Sequence, residues 1–184
     1  DNLVREFGEW DASGSSDYIG CNISRNTYWT WCLDSVFHHI QSSGVAISRA
    51  NGLSNQSSPY YSFVGRNVMH HVKEYGMNVK LVQGAIITQN KIFRIRKVTG
   101  GSSLGACISI INNDSTALEP YSSNVWILFN ELYDAHVGVI FGPSLHGYCP
   151  LTEDDPCVSP ACCSPCVPPT YYDSYHYVIG NSIH

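Results

Sequence analysis

Two groups of residues have types and spacings that could do chemistry. The first is the stretch CPLTEDDPCVSPACCSPCVPP, residues 149–169, which holds Cys149, Cys157, Cys162, Cys163 and Cys166. Cys163 and Cys166 have the C-x2-C spacing of a structural zinc pair, which His146 or His176 could complete. Adjacent Cys162 and Cys163, set among prolines, suit a disulfide-braced loop better, because the prolines already restrict the open chain. A dithiol redox centre is a third reading. The expectation is disulfides drawn from Cys21, Cys107, Cys149, Cys157, Cys162, Cys163 and Cys166, with no metal and no cofactor.

The second group is Cys32 with His176. The spacing of Trp29, Cys32, Leu33, Val36, Phe37 and Ile40 predicts a helix, with Cys32 in its first turn. There the unpaired N–H groups and the helix dipole would lower the thiol pKa. His176 opens the β-run HYVIG, as His136 opens HVGVIFG, and a histidine so placed could accept the thiol proton. Cys32 could instead pair with Cys21, or be an inert thiol buried by Trp29 and Trp31. The doublets His38-His39 and His70-His71 fall on predicted helices. They lack the i, i+4 spacing of a helical metal site, so one member of each is expected outside and the other half-buried.

These side chains must be positioned by a chain of 184 residues with 43% hydrophobic and 14% charged residues and a net charge of −5. The length fits one domain. The charge balance and the lack of a basic block exclude nucleic acid as the expected partner. No apolar run is long enough for a membrane helix. The first residue is Asp1 and no signal peptide precedes it, so a mature or excised segment is expected. Eight cysteines and the sequons at Asn22, Asn55 and Asn113 point to a secreted or surface-exposed glycoprotein, in an extracellular or vacuolar lumen.

The coarse element reading is helices early and strands late. A second helix is expected in GRNVMHHVKEYGM and a third in NVWILFNELYDA. Strands are expected in VKLVQGAIITQNKIFRIRKV, ACISII, HVGVIFG and SYHYVIG. The fold class expected is α+β. A helical half, about 28–78, packs on a later antiparallel sheet half, about 79–184, with 149–169 as a cysteine-rich insertion. No internal repeat stands out.

The order of several short segments resembles the papain-like cysteine proteases. EWD at 9–11 is similar to the family's D-W start, TWCLDSVFHHI to its nucleophile helix, and NGLSNQ to its L-S-E-Q turn. VGRNVMHHVKEYG resembles the G-G loop with the second helix, and ILFNELYDAHVGVIFGPSLHGYC the helix and strand before the histidine. SYHYVIG resembles N-H-A-V-x-x-V-G. The resemblance implies Cys32 as nucleophile, His176 as general base and then acid, Asn181 as the residue orienting the imidazole, and Asn22 near the oxyanion. Cys32 lies beyond the family's cysteine position and the family's G-C-N-G-G signature is absent, so an inactive relative is equally implied.

Two function classes follow. One is a secreted papain-like peptidase domain, active or inactive. The other is a non-catalytic extracellular recognition domain, such as the receptor-binding part of a surface or viral glycoprotein. It would engage a protein or peptide ligand, with a second chain supplying missing parts. Twelve tyrosines among Ser, Gly and Asn suit such a surface.

Overall fold

The structure, a computed structural model, describes residues 2–7, 18–48, 58–98, 104–111, 122–142 and 175–184. Within them the chain forms strands and no helix. A first coil runs β1 (Asn2–Phe7), β2 (Cys21–Ser24) and β3 (Trp31–Leu33). A second runs β4 (Ser35–Ile40), β5 (Ser43–Ser48) and β6 (Tyr60–Gly65). A third runs β7 (Val68–Lys73), β8 (Tyr75–Lys80) and β9 (Gln83–Thr88). A fourth runs β10 (Lys91–Arg96), β11 (Ala106–Ile111) and β12 (Ser123–Leu128). A fifth runs β13 (Glu131–Ala135), β14 (Val137–Gly142) and β15 (His176–Ile179), and β16 (Ser182–Ile183) opens a sixth.

Each strand from β1 to β13 pairs in parallel with the strand three places on. Three sheets result: sheet A (β1-β4-β7-β10-β13-β16), sheet B (β2-β5-β8-β11-β14) and sheet C (β3-β6-β9-β12-β15). Each coil visits A, B and C in turn, so the described chain is a three-sided parallel β-helix. The expected α+β class is therefore corrected twice: the early half is strand, and the sheets are parallel rather than antiparallel.

The reason lies at the corners. Along each passage from sheet C to sheet A, inward positions follow the spacing Φ-x-x-N-x-Φ-x-x-Φ. It reads Val64, Asn67, Met69, Val72; then Ile87, Asn90, Ile92, Ile95; then Ile127, Asn130, Leu132, Ala135. The first instance, Cys32, Ser35, Phe37, Ile40, is the one that looks helical. A left-handed residue breaks the strict alternation of a strand by letting two successive side chains point outward. Asp34, Arg66, Gln89, Phe129 and Gly180 form one such column, with φ between 51° and 65°. Glu6, His39, His71, Arg94 and Asp134 form another, with φ between 50° and 55°. Inward spacings of three and two residues imitate a helical stripe, although the backbone is extended on both sides.

The core is the stack of these inward columns. Phe37, Met69, Ile92 and Leu132 are at most 1% exposed, and Val64, Ile87 and Ile127 are fully buried behind sheet C. Asparagines hold the corner between sheets C and A. Asn90 Oδ1 accepts from the Asn67 backbone N–H at 3.1 Å and from Asn67 Nδ2 at 3.0 Å. Asn90 Nδ2 donates to the Val64 carbonyl at 3.0 Å and to Asn130 Oδ1 at 3.0 Å. Asn130 stands in the same relation to Asn181, and Ser35 N–H donates to Asn67 Oδ1 at 3.0 Å. Each amide thus satisfies backbone groups that the turn leaves unpaired inside the core.

The repeat is hidden in sequence because the coils differ in length. Successive rungs are 32, 23, 40 and 51 residues apart from Ser35 to Asn181. The longest addition lies between β14 and β15 and contains 149–169, outside the described residues. Its five cysteines, and the sequons at Asn55 and Asn113, lie outside them too.

Candidate functional site

The sequence-predicted catalytic residues are not brought together. Cys32 is on β3 and His176 on β15, the opposite edge strands of five-stranded sheet C. Four strand spacings separate them, about 19 Å. Cys32 is 8% exposed in the core and stands in a strand, not at a helix N-terminus. Its thiol shares a proton with Cys21: the hydrogen bond between them and burial push the Cys32 pKa up, while the same bond lowers Cys21 to about 7. His176 pairs in register with inward-facing Val125, and burial lowers its pKa. Asn181 does not orient an imidazole. It ends the asparagine ladder, with Nδ2 donating to the Ile127 carbonyl at 2.8 Å. Asn22 is exposed on β2, next to inward-packed Cys21, and so faces away from Cys32.

Among the described residues Cys21, Cys32 and Cys107 form no disulfide with one another; the other five cysteines of the expected bridges lie outside the described residues. Burial raises the Cys107 pKa to about 12, and its Sγ donates to the Ile92 carbonyl at 3.4 Å. Among the described residues no three His, Cys, Asp or Glu side chains converge on a point that could hold a metal ion. No helix among them is long and apolar enough to cross a membrane.

What the fold does assemble is two outward-facing ladders. On sheet A, register places His38, His70, Phe93 and Tyr133 in one column. His38 and His70 stack at 5.1 Å, His70 and Phe93 at 5.1 Å, and Phe93 and Tyr133 at 4.9 Å between ring centroids. His39 and His71 stack alongside at 4.8 Å. Both members of each doublet point outward, because the second occupies a left-handed corner. Both doublets were expected on helices with one member exposed and the other half-buried; all four imidazoles are half-buried, on strands. Their Nδ1 atoms approach to 2.8 Å (His38–His39) and 2.7 Å (His70–His71), so each pair shares one proton. Burial, the neighbouring imidazoles and Arg94 hold His70 down to about 4, and burial first of all lowers His38 and His71. Lys91–Glu131 and Arg94–Asp134 pairs, at 3.2 and 3.6 Å, flank the rings.

On sheet C the outward columns are aromatic and neutral. One contains Trp31, Phe63, Ile86, Trp126 and Tyr177; the other contains Trp29, Tyr61, Gly84 and Asn124. Trp29 stacks on Tyr61 at 4.5 Å and Trp126 on Tyr177 at 3.9 Å. Trp29 and Trp31 are 69% and 67% exposed, and Tyr61 54%. In the alternative reading of Cys32 as an inert thiol, the burial agrees but the tryptophans do not supply it, since Trp31 and Cys32 are consecutive strand residues on opposite faces.

Between the columns lies an open groove of about 650 Å³ spanning β3, β6, β9 and β12. No charged side chain lines it; its polar groups include Gln83 and Asn124. Gly84, at φ +76°, leaves a hollow between Tyr61 and Asn124, and a Cβ there would meet the Tyr61 ring at 3.3 Å. Sequence reading missed this site. The signal was the Trp/Tyr-x-Trp/Phe pattern at the first two sheet C strands, WTW at 29–31 and YSF at 61–63.

Comparison with known proteins returns no matching family model, no similar curated protein and no similar solved structure.

Proposed function

We propose that this chain is a non-catalytic extracellular recognition domain whose binding surface is the outward face of sheet C. The observation that carries the reading is the groove itself: Trp31 of β3, Tyr61 and Phe63 of β6 and Trp126 of β12 present aromatic rings in register, with Gly84 and Ile86 of β9 between them, around a hollow with no charge in its lining. Exposed aromatics arranged contiguously, rather than scattered, mark a surface that meets a partner. The parallel β-helix supplies rigidity, because Tyr61, Phe63 and Trp126 stand on strands hydrogen-bonded on both sides and Trp31 on an edge strand paired with β6, so little ordering entropy is lost on binding. Peptide hydrolysis finds no such support, with Cys32 and His176 on opposite edge strands.

Biolayer interferometry against immobilised cellulose, xylan, mucin, collagen and fibronectin tests the reading. Saturable binding to at least one polymer is expected. The Trp31→Ala/Trp126→Ala double variant should lose it and His38→Gln/His70→Gln should keep it. Binding equal in the tryptophan variant, or binding to none of the five, contradicts the reading. So does casein hydrolysis that is lost in Cys32→Ser.

A further inference from the structure

Resting on that reading of sheet C, we infer that the ligand is a neutral glycan chain lying along the β-helix axis, across the strands. Periodicity comes first. Three of the four coils put an aromatic ring in the Trp31 column of the groove and the fourth puts apolar Ile86 there, and parallel strands stack about 4.8 Å apart. A polymer bound along the axis must keep step with that repeat. An extended peptide advances about 3.3 Å per residue and falls out of step within two coils. Pyranosyl residues in an extended chain repeat on the scale of the coil spacing, so about four rings match β3, β6, β9 and β12.

Chemistry comes second. A pyranose ring has an apolar C–H face and a hydroxyl rim. Trp31, Phe63 and Trp126 offer apolar ring surface to the former. Gln83 and Asn124 carry amides that both donate and accept, which suits hydroxyls. Ser123 Oγ donates to Gln83 Oε1, which helps fix that amide at the groove edge.

Charge comes third. A single-stranded nucleic acid on an aromatic platform needs cations along its backbone, and the lining has none. An acidic glycan would need the same. The hollow over Gly84 gives a substituent or a kinked linkage a place to enter without displacing a ring.

Isothermal titration calorimetry at neutral pH, with cellohexaose, xylohexaose and hexagalacturonate as probes, tests the inference. A neutral hexasaccharide should bind, its disaccharide about ten-fold more weakly or worse, and hexagalacturonate not at all. Trp31→Ala and Trp126→Ala should each weaken binding about ten-fold or more. Their Tm should stay unchanged, and His38→Gln should bind as the parent does. Preference for hexagalacturonate with a steep salt dependence overturns the neutral-glycan assignment. No oligosaccharide binding, together with Trp31-dependent capture of mucin stripped of its glycans, also overturns it but leaves sheet C as a protein-binding face. Oligosaccharide binding that survives both tryptophan variants overturns the assignment and the face together.

Discussion

Sheets A and C are built by the same device and turn it to opposite chemistry. Each has a column of left-handed corners that directs two side chains per coil outward. On sheet A those positions hold His38, His39, His70 and His71, continued by Phe93 and Arg94 and then Tyr133 and Asp134. On sheet C the left-handed positions are Trp29, Tyr61, Gly84 and Asn124, beside a column of Trp31, Phe63, Ile86 and Trp126, and the groove between them is uncharged. The sheet A rings pack on one another and on ion pairs, satisfying themselves. The sheet C columns part around Gly84 and leave space. The difference teaches that the β-helix is indifferent to what it displays outside. Function has to be read from the outward columns, and stability from the inward ones.

The largest expected effect falls on both faces at once. Asn90 is 1% exposed, and Asn90→Ala strips partners from the Asn67 amide, the Val64 carbonyl and Asn130. A loss of about 3–5 kcal/mol is expected, since several buried polar groups lose their partners together. Calorimetry should show a Tm lower by about 10 °C or more. A small shift would show that the corner is held some other way.

Next is a change confined to sheet C. Gly84→Ala puts a Cβ against Tyr61 and forces alanine into φ +76°, at about 1–2 kcal/mol, while partly filling the groove. Stability and ligand affinity should both fall, and a rise in either separates the hollow from the binding face.

The third effect belongs to sheet A. His70, His38 and His71 have folded pKa values below the ordinary 6.5, so at mildly acid pH the folded protein holds fewer protons than the unfolded chain. Their contribution is complete above about pH 6.5. It is lost as pH falls towards about 4, the value for His70. Arg5 and Arg94 add repulsion on protonation, and Glu6 and Asp134 offset part of it. Tm should decline across that window, and His70→Gln should flatten the slope without touching sheet C. The smallest effect is expected at the corner between them. The Arg66–Asp34 pair is bidentate at 2.7 and 2.6 Å but exposed, so Arg66→Ala should leave Tm nearly unchanged.

Part of this was legible in the sequence. ACISII coincides with β11, and HVGVIFG and SYHYVIG contain β14 and β15, because β-branched runs without corners keep a strand's period. TWCLDSVFHHI and GRNVMHHVKEYG were not legible. They cross a corner, and the left-handed residues Asp34, His39, Arg66 and His71 are not the glycines that would announce one. The Asn67, Asn90, Asn130 ladder was present in the letters, but unequal coil lengths scatter it. Exposed rings do gather on one face, but tryptophan and phenylalanine stand there beside tyrosine. Which rings share a face depended on register between strands that a local reading does not pair.

The most direct measurement is a single ¹H–¹⁵N titration with the hexasaccharide that binds best, following indole Nε1–H and imidazole signals together. The indoles of Trp29, Trp31 and Trp126 should shift saturably, while His38 and His70 stay in place. Saturable shifts at the sheet A imidazoles with unmoved indoles would contradict the assignment of binding to sheet C.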